Sequence, residues 1–143
     1  MSKDELQNNL YWSLLQVSMR AKKNLMKLSE EHSLNIMQLY VLCSMKHGEA
    51  VPTNFVASLL ACDASTVTGI VDLLFEQKLV TRIESPQDRR VKMLTLTPKG
   101  ETTKQEILSA IRGFQSNALD GLDEAQKDTL QELLMVVLRT ACQ

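Results

Sequence analysis

The 143-residue sequence predicts a mainly α fold carrying one small β-hairpin, with helices at both ends. Three observations lead to this. The first thirty residues lack Gly and Pro and repeat apolar side chains at three- and four-residue steps. Further helix-period segments follow, several preceded by a recognisable cap. Near the middle, "LVTRIE" and "VKMLTLT" alternate with period two around the turn-rich "SPQDRR".

The elements follow in order. Leu6, Leu10, Leu14, Val17, Ala21, Leu25 and Leu28 form one stripe on a first helix of about 28 residues, widened by Tyr11, Trp12, Leu15 and Met26. That is long for so small a domain, and the excess is expected to pack outside the core. "NIMQ" reads as a capping box, with Asn35 accepting from the first turn and Gln38 reaching back. The second helix is expected to run through Leu39, Leu42, Cys43 and Met45 to a glycine stop at Gly48. "AVPT" is a short extended link, and Thr53 caps a helix burying Val56, Leu59 and Leu60. Asp63 caps "ASTVTGIVDLLFEQK", whose inner face is Val67, Ile70, Val71, Leu74 and Phe75. The hairpin comes next. Thr97 then caps a helix with Pro98 at its first position, running through Ile107, Leu108, Ile111 and Phe114 until Gly121 breaks it. A last helix, about Asp123 to Thr140, is apolar at Leu130, Leu133, Leu134, Val137 and Leu138.

Length suggests one domain, 1–143, large enough to bury about 68–70% of its unfolded surface without staples. Composition, at 44% hydrophobic and 23% charged residues, is in the ordinary globular range. No apolar run approaches the roughly 20 residues of a membrane span, and the N-terminus does not read as a signal peptide. A cytoplasmic protein with no membrane partner is expected. Cys43, Cys62 and Cys142 are odd in number and widely spaced, which excludes a disulfide framework and a zinc-finger pattern. His32 and His47 fall near helix ends, where positive charge is favourable. No cluster of His, Cys and acids suggests a metal, and no nucleophile–base pair or phosphate-cradling loop suggests an enzyme.

Net charge is −1, but it is unevenly distributed. Lys78–Lys104 holds seven bases and three acids, a net of +4. Asp120–Glu132 holds five acids and one base, a net of −4. A basic middle and an acidic end point to two surfaces with different tasks.

The basic middle follows two short helices joined by "ACDAS", the pattern of a helix-turn-helix whose second helix enters a DNA major groove. The outer face of that helix offers Ser65, Thr66, Thr68, Gly69 and Asp72. Small hydroxyls there allow close approach to base edges and can donate or accept. The hairpin is then a wing. Arg89 and Arg90 at its tip suit a phosphate or minor-groove contact, and Arg82 and Lys92 on its strands extend the basic set. Asp88 is an organiser that holds an Arg or caps the turn, because a carboxylate facing DNA is repelled.

These residues resemble the MarR family of bacterial transcription regulators. Its wing signature, Asp-x-Arg followed after five residues by Leu-Thr, is matched by Asp88, Arg90, Leu96 and Thr97. "LNIMQLYVL", "STVTGIVDLL" and "KLVTRIESPQDRR" match its second helix, recognition helix and wing, with Asn35 at a usual Thr position. The resemblance implies a winged helix-turn-helix region at about 33–100, flanked by dimerisation helices at about 1–32 and 101–143. It implies double-stranded DNA as partner, an intertwined homodimer, and often a phenolic or oxidant effector. One departure is plain: Gly69 and Leu73 stand where the family often has Arg, and no Lys or Arg occurs between Asp63 and Gln77.

The reading is thus a homodimeric, sequence-specific DNA-binding transcriptional regulator, an effector-responsive repressor that binds an inverted repeat, with no cofactor. Tyr11, Trp12, Met37, Tyr40 and Met45 are candidates for an aromatic-effector pocket, against core packing. Two rivals use the same fold. One is a protein-interaction winged helix without DNA binding, favoured by the uncharged recognition helix. The other is a cysteine-based redox sensor, with Cys62 before a helix start as the better thiol and Cys142 able to pair across a dimer.

Overall fold

A computed structural model describes residues 2–60 and 62–141. Cys142, the proposed cross-dimer thiol, lies outside them. The chain divides into two compact units, residues 1–110 and 111–143.

The first unit opens with a short helix, α1 (Lys3–Gln7), and a long one, α2 (Leu10–Glu31). The single 28-residue helix expected from periodicity is therefore broken. Asn9 is the reason: it adopts extended geometry and its side chain accepts from the Trp12 amide at 2.9 Å, so it caps a new helix. Helix α3 (Ile36–Ser44) begins with the expected capping box. Asn35 accepts from the Gln38 amide at 2.8 Å and Gln38 accepts from the Asn35 amide at 2.9 Å. It ends four residues before Gly48, because Met45 turns extended and buries completely. Gly48 does take a positive φ of 71°, in the turn beyond.

The extended link at Val51–Pro52 is a third strand, β1, leading into α4 (Thr53–Leu60) and α5 (Ala64–Glu76). Strands β2 (Val80–Glu84) and β3 (Lys92–Leu96) form the hairpin, and β3 lies between β1 and β2 in an antiparallel sheet. Val51 pairs with Leu94, and Arg82 faces Leu94 from the other side. Pro52 fits because an edge strand can spare an amide donor. Helix α6 (Pro98–Ala118) follows.

The core of this unit draws on every layer: Val41, Leu42 and Met45 of α3 and its end, Val56 of α4, Leu74 of α5, Leu94 of β3 and Ile107 of α6 are all fully buried. Each such side chain contributes about 1.5–3 kcal/mol of transfer free energy. Phe75, expected on the inner face of α5, is instead 44% exposed. Val67, Ile70, Val71 and Leu74 already fill that face, and position 75 lies outside their arc.

The end of α5 is tied to the start of α6. Lys78 takes a left-handed φ of 62°, closing α5 with bonds from its own amide to Phe75 and from the Leu79 amide to Leu74. Thr97 Oγ1 donates to the Lys78 carbonyl at 2.6 Å and accepts from the Gly100 amide at 2.9 Å. Lys99 Nζ donates to the Gln77 carbonyl at 3.0 Å. A Cβ on Gly100 would sit 1.9 Å from the Leu79 carbonyl oxygen, so only glycine permits this approach.

In the second unit, α7 (Glu124–Ala141) starts at Asp123, which exchanges capping bonds with Gln126 at 2.8 and 3.0 Å. Its Leu133, Met135, Val136, Val137 and Leu138 are exposed. No single helix among the described residues is long and apolar enough to cross a membrane.

Candidate nucleic-acid interface

The α5 start is organised by Asp63. Its carboxylate accepts from the Thr66 amide at 2.8 Å and from the Ser65 hydroxyl at 2.9 Å. The Thr66 amide, then the Thr66 and Ser65 hydroxyls, hold its carboxyl below the usual aspartate range. An ionised carboxylate only accepts, so the Ser65 proton is committed to it. Thr68 Oγ1 likewise donates to the Ala64 carbonyl at 2.9 Å. Both hydroxyls therefore offer lone pairs, not protons, to whatever lies outside.

Helical spacing places Ser65, Thr68, Gly69 and Asp72 on one side while Val67, Ile70, Val71 and Leu74 are buried on the other. Ser65, Thr66, Thr68 and Gly69 are all exposed. A Cβ on Gly69 would meet nothing within 4 Å, so packing does not require this glycine. The face is small, open and rich in acceptors.

Asp88 performs two tasks at the wing tip. It accepts from the Arg90 amide at 3.0 Å and grips the Arg90 guanidinium through Nε and Nη2, both at 3.2 Å. Its carbonyl accepts from the Val91 amide, which turns the chain. The Arg90 guanidinium, then its amide, hold the Asp88 carboxyl below the usual range. Arg90 still has a side chain 91% exposed. Arg89 is exposed and makes no ion pair among the described residues.

The two strand bases are differently placed. Lys92 Nζ lies 3.6 Å from Glu84. Arg82 Nη2 pairs with Asp72 of α5, and its guanidinium carbon lies 4.9 Å from the Phe75 ring centroid. No local sequence signal announces this pairing. Its partners are seven to ten residues apart on different elements, and no periodicity connects them.

The five aromatic-pocket candidates differ widely in burial. Met45 is fully buried in the core, Tyr11 is 79% exposed, and Trp12, Met37 and Tyr40 lie partly open. A groove of about 450 Å³ is lined by Met19, Lys22, Lys23, Met26, Lys27 and Glu30 of α2. Another of about 370 Å³ includes Phe75, Lys78 and Thr97. Cys43 and Cys62 are half-buried. Burial pushes the Cys43 thiol up, against the opposing pull of Lys104. His47 Nδ1 lies 3.4 Å from Glu101. No group of three His, Cys, Asp or Glu side chains suited to a metal occurs among the described residues.

Helices α4 and α5, separated by three residues in the chain, followed by a hairpin on a three-stranded sheet, define a winged helix-turn-helix protein of the transcription-regulator class. The chain belongs to the MarR family: the model of that family matches residues 34–92. The chain is 31% identical over 106 residues to the HTH-type transcriptional regulator YpoP of Bacillus subtilis (strain 168), covering 74% of each. It is 26% identical over 125 residues to the transcriptional repressor MdtR of the same organism, covering 87% of this chain and 81% of MdtR. It also resembles the solved structure of Bordetella bronchiseptica BpsR, whose DNA binding is regulated by 6-hydroxynicotinic acid. That likeness has a TM-score of 0.76 and 25% identity over 91% of this chain and 93% of BpsR. The protein is thus a transcriptional regulator, in a group of regulators rather than enzymes.

Proposed function

We propose that this protein represses transcription by binding an inverted repeat in double-stranded DNA as a homodimer, and that a small molecule releases it. The observation that carries the reading is the exposed α5 face of Ser65, Thr66, Thr68 and Gly69, followed in the chain by a wing whose tip holds Arg89 and Arg90. The helix enters a major groove and the wing arginines meet phosphate or a flanking minor groove. Because Ser65 and Thr68 commit their protons inward, the face suits bases that offer an amino group, adenine N6 or cytosine N4. MdtR, a repressor, and BpsR, answering to a hydroxylated aromatic acid, support the repressor and effector parts. The effector acts by preferring a dimer whose recognition helices are wrongly spaced; without that preference it shifts nothing.

The exposed apolar residues of α2 and α7 support the dimer, because patches of this kind on a soluble chain mark an interface. Selection of genomic fragments with purified protein, followed by footprinting, tests the whole reading. The expected footprint is an inverted repeat with half-site centres about 10–10.5 bp apart or a multiple of that. Recovery of no fragment at any salt concentration would favour the protein-interaction rival, which the absence of Lys and Arg from residues 63–77 supports.

A further inference from the structure

We propose that Arg82 is a positioning residue, which with Asp72 and Phe75 clips the first wing strand to the exposed side of the recognition helix. The inference rests on the DNA-binding reading above and changes how one of its basic residues acts. Asp72 and Phe75 are one turn apart on α5. Arg82 reaches both from β2, through the ion pair to Asp72 and the guanidinium 4.9 Å from the Phe75 ring centroid. A planar guanidinium can pair at its edge and stack on its face at once, which an ammonium cannot. The nearby acid on the same strand, Glu84, is engaged by Lys92, so it does not compete.

Two consequences follow for DNA. Asp72 lies on the same side of α5 as Ser65, Thr68 and Gly69, and Arg82 neutralises a carboxylate that would otherwise face phosphates. The clip also fixes β2 against α5, so the wing tip keeps its register with the base-reading face. Arg82 contributes by holding other groups and touches no phosphate itself.

The test compares full-length wild type, Arg82→Ala, Arg82→Lys, Asp72→Asn and the Arg82→Ala/Asp72→Asn double variant. DNA affinity is measured across salt on a selected fragment, and amide hydrogen exchange is measured in the free protein. Arg82→Ala is expected to weaken binding about tenfold, within the range for coupled neighbours. The log–log salt slope is expected to stay unchanged, because the same number of phosphates is neutralised. Adding Asp72→Asn removes the bared carboxylate and recovers at least half of the affinity deficit on a logarithmic scale, whereas Arg82→Lys recovers less. Exchange in β2 and β3 speeds up in Arg82→Ala and stays fast in the double variant. A slope smaller by about one unit with no recovery from Asp72→Asn would show that Arg82 neutralises a phosphate directly, and would overturn the proposal. Unchanged exchange would overturn it as well. If wild type binds no DNA, the functional reading fails, and the exchange comparison alone decides whether Arg82 holds the wing.

Discussion

At the scale of single residues, the α5 start is governed by one carboxylate. Asp63 has a folded pKa below its unfolded value, so the stability it contributes is present above about pH 4 and lost as pH falls through the folded value. Asp63→Asn keeps an acceptor for the Thr66 amide and removes the titration. Urea unfolding across acidic pH should therefore show a shallower loss of stability in Asp63→Asn than in wild type. Ser65 and Thr68 present acceptors outward, and Thr68→Val removes one acceptor at nearly constant shape. It should relax preference at one base position by about 1–3 kcal/mol while leaving others unchanged, as read by competition among single-base variants of the selected site. The Asp63 cap was legible because cap, hydroxyls and helix start are adjacent in sequence. The engagement of Arg82 by Asp72 was not, because only the packing of β2 beside α5 brings them together.

At the scale of elements, the sequence-based boundaries depend on which residue ends each helix. The capping box at Asn35 and the Thr97–Pro98 start are local signals and read directly. The ends at Ser33 and Lys78 are not, because each places a non-glycine residue in the left-handed region, at φ 55° and 62°. In the sequence, strand β1 shows only as an extended link, since two residues carry no alternation and it exists by pairing with β3. The close approach at Gly100 gives a sharp test. Gly100→Ala drives a Cβ into backbone that cannot yield, and should destabilise by about 3 kcal/mol, the upper end of overpacking costs. Gly69→Ala, in open space within a helix, should stabilise by about 0.5–1 kcal/mol. Chemical denaturation of both variants checks the contrast.

At the scale of the whole molecule, the proposed regulator requires two copies. Leu10 at 85% exposure and Leu138 at 56% stand for apolar surface that a single chain leaves in water. Leu133→Glu/Val137→Glu on α7 should yield a smaller species in light scattering at micromolar concentration, and should weaken DNA binding with it. The central claim, that the wing and recognition helix grip DNA, is tested most directly by the salt dependence of binding in an Arg89→Ala/Arg90→Ala variant shown to be folded by circular dichroism. Arginines that neutralise phosphates release counterions, so binding should weaken and the log–log salt slope should fall by about one unit for each phosphate no longer neutralised. An affinity and a slope both equal to wild type would contradict the claim.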